Sequence, residues 1–303
     1  MAHNFSLCIT TFNRKDELSK TLSEMSHSGF LSQFEVLIWD DGSKDGTFEF
    51  VQSNYPDIIL FRHNSTKGLI SSRNELLDKV RTPYAFFLDD DASFLSKLNL
   101  KSVKSYFENN PNCAVLALRI FWGINKPDNN LSHEEPHRVR SFVGCGHIWR
   151  TSAWHQIPNY PDWFKFYGEE DFASFHLFKK GLEVHYYPDI LIHHRVDIKS
   201  RKKNKDYVQR TRRSLRSGWY LYLMFYPKRL IVGRMTYSIW MQYKTKVIRG
   251  DFKALIGIKL AIMDLMLNSI KILQNSNRLT HDEFKKFENI APTRIYWTPD
   301  SLS

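Results

Sequence analysis

Cysteine is scarce in this sequence: Cys8, Cys113 and Cys145 stand far apart and form no CxxC pair. That excludes a disulfide framework and a zinc ribbon, and it fits a reducing compartment. Glycine is missing where nucleotide phosphates are commonly cradled. No GxxxxGK[ST] loop occurs, and Gly144-Cys145-Gly146 lacks the third glycine of a dinucleotide fingerprint, so P-loop kinase and dehydrogenase readings fail. Long apolar runs are absent too. Without 18 uninterrupted apolar residues a membrane-spanning helix is not expected, and Phe5–Ile9 is too short for the apolar region of a signal peptide. His133-Glu134-Glu135-Pro136-His137 matches HExxH literally, but Pro136 obstructs the helix a zinc peptidase needs there.

What is abundant is charge, unevenly spread. The chain of 303 residues carries +11; residues 1–194 hold 20 Lys+Arg against 24 Asp+Glu (−4), whereas residues 195–303 hold 23 against 8 (+15). Such asymmetry suggests a polyanionic surface, membrane or nucleic acid, as partner of the second part. The expected division is therefore 1–195 as one domain and 196–303 as a basic, aromatic-rich helical extension.

Within the first part, β-rich runs (Phe5–Ile9, Phe34–Trp39, Ile58–Phe61, Tyr84–Leu88) alternate with segments of helical length (Lys15–Met25, Thr47–Ser53, Ser71–Val80). This pattern predicts an α/β fold with a mostly parallel sheet. A helix near Leu98–Glu108 and strands Ala114–Phe121, Phe142–Trp149 and Val184–Tyr187 continue it. The Asn-, Pro- and charge-rich stretch Trp122–Arg140 reads as a long surface loop, of the kind that often carries substrate contacts.

Five polar signatures punctuate these elements in order: Thr10-Thr11-Phe12-Asn13-Arg14, Asp40-Asp41-Gly42-Ser43, Asp89-Asp90-Asp91, Gly168-Glu169-Glu170-Asp171 and His193-His194. The first three follow strand-type runs, and charged groups at the carboxyl ends of strands converge in the crevice of an open α/β sheet. Adjacent carboxylates repel one another unless a cation compensates them, and their oxygens suit Mg²⁺ or Mn²⁺; an acidic turn is the plainer reading. Asp41 before Gly-Ser is equally compatible with a turn. Acids opening the helix at Glu169 are favoured by its dipole, yet three in a row exceed that need.

The set TTFNR, WDDGSKDGT, KGLISSRN, FFLDDD, GEED and PDILIHH resembles glycosyltransferase family 2, over roughly residues 5 to 195. The resemblance implies the nucleotide-diphosphosugar-binding GT-A fold, a Rossmann-like sheet flanked by helices. It assigns Asp89 and Asp91 to ribose and metal, with Asp90 beside them, and a divalent Mn²⁺ or Mg²⁺ as cofactor. It places Thr10, Phe12 and Arg14 with the nucleotide, Asp41 on a pyrimidine base and Arg73 near the same pocket, which favours a UDP- or dTDP-sugar. Glu170 aligns with the family's catalytic carboxylate and Asp171 is the alternative. His193 fits the position of a histidine that reaches the metal or the diphosphate, with Arg195 adding charge.

In the basic extension, Arg195–Arg216 holds ten basic and two acidic residues, an aromatic run follows at Trp219–Tyr226, and Phe252–Ile272 reads as an amphipathic helix with Lys253, Asp264, Asn268 and Lys271 on its polar face. Such helices either pack on the core or lie in an anionic membrane interface. The expected protein is an inverting, metal-dependent transferase, peripheral on the cytoplasmic face of the cell membrane. It would pass a sugar to a glycan or lipid-linked acceptor of cell-surface polysaccharide or lipopolysaccharide assembly, with no nucleic-acid partner and homo-oligomerisation left open. A sugar-phosphate nucleotidyltransferase is the enzymatic alternative, although Thr10–Arg14 lacks the glycines of its phosphate loop. A nucleic-acid- or membrane-binding protein with a degenerate transferase domain is the non-enzymatic one.

Overall fold

A computed structural model describes residues 3–197 and 206–299. The first part alternates as the sequence implies: β1 (Phe5–Thr11), α1 (Lys15–His27), β2 (Glu35–Asp40), α2 (Thr47–Asn54), β3 (Ile59–Arg62), α3 (Leu69–Lys79) and β4 (Tyr84–Leu88). Then come β5 (Ala92–Phe94), α4 (Leu100–Asn109), β6 (Cys113–Trp122), β7 (His137–Val139), β8 (Gly146–Arg150), α5 (Thr151–Trp154), α6 (Glu169–Lys179) and β9 (Glu183–His194). The stretch read as loop thus contains β7, which pairs with β9. Residue 145 and its predecessors form a loop where a longer strand was expected.

The strands form one sheet in the order β3-β2-β1-β4-β8-β6-β9-β5, with β7 also on β9. It is parallel from β3 to β4; β8 then runs antiparallel to both β4 and β6, and β6 and β9 are parallel again. Because β8 reverses direction, β1, β2, β4, β6 and β9 all end at one sheet edge, where β8 begins. Every polar signature of the sequence is delivered to that edge. The central strands read as continuous apolar runs because both their faces are covered. Leu18, Leu22, Val103 and Phe107 pack from α1 and α4 on one face, and Leu76, Phe172 and Phe175 from α3 and α6 on the other.

The extension contributes α7 (Tyr207–Phe225), α8 (Lys228–Gln242), a π-helical turn Tyr243–Val247, α9 (Phe252–Leu267), α10 (Ser269–Gln274) and α11 (His281–Glu288). The aromatic run at the end of α7 is not an exposed surface. Trp219, Tyr220, Met224 and Phe225 are buried, with Phe225 stacked on Phe175 of α6 at 4.7 Å. Aromatic pairs of this kind add about 0.5–1.5 kcal/mol beyond the area they bury. Residues 198–205 of the basic run lie outside the described part.

Candidate active site

At the common sheet edge the third signature leaves β4. The backbone N–H of Asp89 donates to the Cys145 carbonyl before β8, and its side chain turns into the cleft. Asp89, Asp91 and His194 each present a ligand atom within 4.8 Å of the others. His194 Nε2 lies 3.1 Å from an Asp91 oxygen and 3.9 Å from Asp89, and the ring rests on Trp122 with centroids 4.5 Å apart. Two carboxylates and an imidazole form a donor set that a divalent transition cation accepts, while the second oxygens of Asp89 and Asp91 are held by Arg73 and Arg14. His193, the histidine expected here, is turned to the opposite face: its Nε2 meets the Gly123 carbonyl at 2.8 Å and its ring meets Phe121. Successive side chains of a strand point to opposite faces, so only one of the pair can reach the cleft, and it is His194.

Arg14 bridges Asp91 to the third acid, with Nε 2.8 Å from Asp90 and Nη2 2.6 Å from Asp91. Asp90 also accepts from Thr11 Oγ1 at 2.8 Å. Burial pushes its carboxyl up to about 7 against the pull of Arg14, with the Asp91 charge adding to the rise. Asp91 is held below the usual carboxylate range: burial opposes ionisation, but the His194 hydrogen bond and the charges of His194 and Arg14 outweigh it. Arg14, expected with the nucleotide, thus lies against the acids. Arg195 turns away to Glu17 and Thr21.

Arg73, expected near the nucleotide, is a buried strut between the acid groups. It donates to Asp89 at 2.9 Å, to Glu169 at 2.9 Å and to the Gly144 carbonyl at 3.1 Å, and it lies 3.7 Å from Glu170. Gly144 makes this approach possible: a Cβ there would come within 2.3 Å of Glu170 Oε1 and 2.5 Å of Arg73 Nη1. Glu169 is buried and committed to Arg73. Glu170 keeps part of its carboxylate toward the cleft, and burial together with the Glu169 charge raises its pKa well above the ordinary range despite Arg73. Asp171 is exposed, and its carboxylate accepts a hydrogen bond from Ser141. Gly168, at φ +88°, takes the left-handed turn that starts α6 and aims these acids inward.

The second signature divides its labour. Asp40 makes the turn, accepting from the Ser43 N–H at 2.9 Å. Asp41 accepts from His63 Nδ1, Thr66 Oγ1, Lys67 N and Gly68 N, at 2.6–2.9 Å, which uses all four lone-pair directions of a carboxylate. These bonds hold its pKa below the ordinary value in spite of burial. Its observed task is to fix the loop that precedes α3. Thr10 is buried on β1, where it pairs with Trp39 of β2, and Phe12 stands 42% exposed. Sequence reasoning missed His63, Thr66, Gly144 and Cys145; only the paired glycines around Cys145 offered a signal, that of close backbone approach.

The model of Glycosyl transferase family 2 matches residues 6–177, more than half of the chain. Among curated proteins, the chain is 31% identical over 119 residues to an uncharacterized glycosyltransferase of Bacillus subtilis, covering 39% of this chain and 30% of that protein. It is 33% identical over 111 residues to an abequosyltransferase of Salmonella typhimurium (34% and 32% covered). It is 29% identical over 118 residues to a GalNAc(5)-diNAcBac-PP-undecaprenol beta-1,3-glucosyltransferase of Campylobacter jejuni (36% and 38% covered). The matched segment spans about a third of these relatives' length. Among solved structures, a mannosyltransferase of Pyrobaculum calidifontis in complex with GDP-Man and Mn²⁺ superposes with a TM-score of 0.56 at 12% identity, over 95% of this chain and 84% of that one. GalNAc-T7 with UDP, GalNAc and Mn²⁺ does so with 0.59 at 14%, over 75% and 48%. The acid-lined sheet edge, the fold and the family match agree: the chain belongs to glycosyl transferase family 2.

Proposed function

We propose that this glycosyltransferase moves a sugar from a nucleoside-diphosphate sugar to a glycan or lipid-linked acceptor, with inversion and with a divalent cation. One observation carries the reading: ligand atoms of Asp89, Asp91 and His194 lie within 4.8 Å of one another, and Arg73 ties Asp89 to Glu169 and, at 3.7 Å, to Glu170. Asp89, Asp91 and His194 would hold the cation, which would supply positive charge for the departing diphosphate. The imidazole in the set favours Mn²⁺ over the all-oxygen preference of Mg²⁺.

Glu170 is the base. It takes the proton of the acceptor hydroxyl while that oxygen bonds the anomeric carbon, and the bond to the diphosphate oxygen breaks with its electron pair going to the nucleoside diphosphate. Arg73 positions Glu170 and Asp89 relative to each other, and Arg14 exchanges its carboxylate partners for donor phosphate. The nucleoside lies over Phe12 and Thr10. Asp41 shapes this pocket through the loop it holds, and recognition of a pyrimidine N–H by Asp41 itself requires one of its four donors to yield. A UDP- or dTDP-sugar is the favoured donor.

One relative is called a GalNAc(5)-diNAcBac-PP-undecaprenol beta-1,3-glucosyltransferase, which supports a lipid-linked acceptor; work at the cytoplasmic face of the cell membrane is part of the same proposal. The test is a release assay for nucleoside diphosphate over a panel of UDP-, dTDP- and GDP-sugars, with Mn²⁺, Mg²⁺ or chelator. Cation-dependent release that disappears in Asp91→Ala is expected. Undiminished release under chelator overturns the metal assignment.

A further inference from the structure

The amphipathic helix of the extension is built inside out. In α9 the face turned to the protein consists of Ala254, Gly257, Ile258, Ala261 and Asp264. Small residues let it press onto α7, where a Cβ on Gly257 would meet Thr211 Cγ2 at 2.9 Å. Asp264, expected on the solvent side, is only 3% exposed and sits between Arg212 (2.5 Å) and Arg216 (3.0 Å) of α7. The helix therefore turns its apolar side outward. Phe252, Ile256, Met263, Leu267 and, beyond the break at Asn268, Ile270 and Leu273 are spaced by three, four or seven residues and are more than half exposed. Of the eighteen large hydrophobics exposed among the described residues, twelve fall within 228–273.

The same stretch carries nine Lys and Arg against two acids. Both acids are engaged: Asp264 by the arginines, and Asp251 by capping α9 at Ala254 and by accepting from Tyr207. Lys253, Lys259 and Lys271 flank the apolar stripe and are exposed. No described helix is long and apolar enough to cross a membrane. We infer that α9 and α10 lie flat in the interface of an anionic lipid bilayer, inserting the Phe252–Leu273 stripe while the flanking lysines reach the headgroups. Combined apolar insertion and cationic rim is the signature of such helices. A second copy of the chain is a poor occupant, because it would oppose two surfaces of the same positive charge. The inference goes beyond the transferase reading and is tested without a sugar donor.

Flotation with phosphatidylcholine vesicles, with and without phosphatidylglycerol, is the measurement. The intact chain should float with the anionic vesicles and detach partly as salt rises. Ile256→Glu/Leu267→Glu/Ile270→Glu, all at exposed positions, should lower partitioning on the order of tenfold with an unchanged melting temperature. Lys253→Glu/Lys259→Glu/Lys271→Glu should erase the preference for anionic lipid. The inference is overturned if the intact chain ignores both vesicles, or if the apolar variant floats as well as the parent. It is likewise overturned if sedimentation shows a dimer that the apolar variant dissolves, which would assign the face to self-association.

Discussion

At the scale of single residues, the two adjacent histidines separate position from identity. His194→Ala removes one of three converging ligands and should raise the Mn²⁺ concentration for half-maximal activity at least tenfold, whereas His193→Ala should leave it unchanged; a metal titration of both variants checks this. Sequence spacing pointed to His193. The reason it misled is visible in β9, where Leu118 pairs with Tyr187 but Arg119 pairs with Leu191. The three residues looped out around Pro188 reset the inside-outside alternation of the strand end, and a slip in register exchanges its faces. Arg73 was obscure for a different reason, since its partners lie 16 and 96 residues away. Glu170→Gln should lower kcat by about 10²–10⁴ while sparing donor affinity, the usual worth of a general base. Because burial and Glu169 raise Glu170, the acid limb of the kcat profile should lie above the ordinary glutamate value of about 4.3, with activity growing as pH rises through it. A limb at the ordinary value, or the loss appearing in Asp171→Asn instead, would move the base elsewhere.

At the scale of elements, the sheet edge was largely legible. Apolar runs ending in Asp40, Leu88 and Thr11 mark strands, and acids after strands mark a cleft. The loop before β8 was not, because its value lies in what it lacks. Gly144→Ala inserts a methyl between Arg73 and Glu170, and overpacking of this kind costs about 1–3 kcal/mol. The predicted outcome is a lowered melting temperature together with a fall in kcat larger than the stability loss explains. Carboxylates raised by burial, Glu169 and Glu170 here, stabilise the fold fully only below their unfolded pKa and lose that contribution as pH rises through the folded value. Stability of the apo protein should therefore decline over that window.

Over the whole molecule, the charge division visible in composition corresponds to two surfaces: an acidic edge on the sheet and a basic, apolar face on the helices. The extension is not peripheral to folding, since Phe225, Ile272 and Phe284 share a core with Phe172 and Phe175. Helical periodicity found α9 but assigned its polar stripe to solvent, because Arg212 and Arg216, the cations that draw Asp264 inward, lie some fifty residues upstream. Asp264→Ala leaves two arginines uncompensated and should cost about 3 kcal/mol, readable as a shifted denaturant midpoint with the slope unchanged. The direct test of the central claim is a thermal-shift titration of nucleoside diphosphates with and without Mn²⁺, since a ligand of the native state alone raises its apparent stability. UDP or dTDP should stabilise the protein only with the cation, and Asp91→Ala should abolish the shift; stabilisation that is equal under chelator, or that survives in Asp91→Ala, would contradict the account.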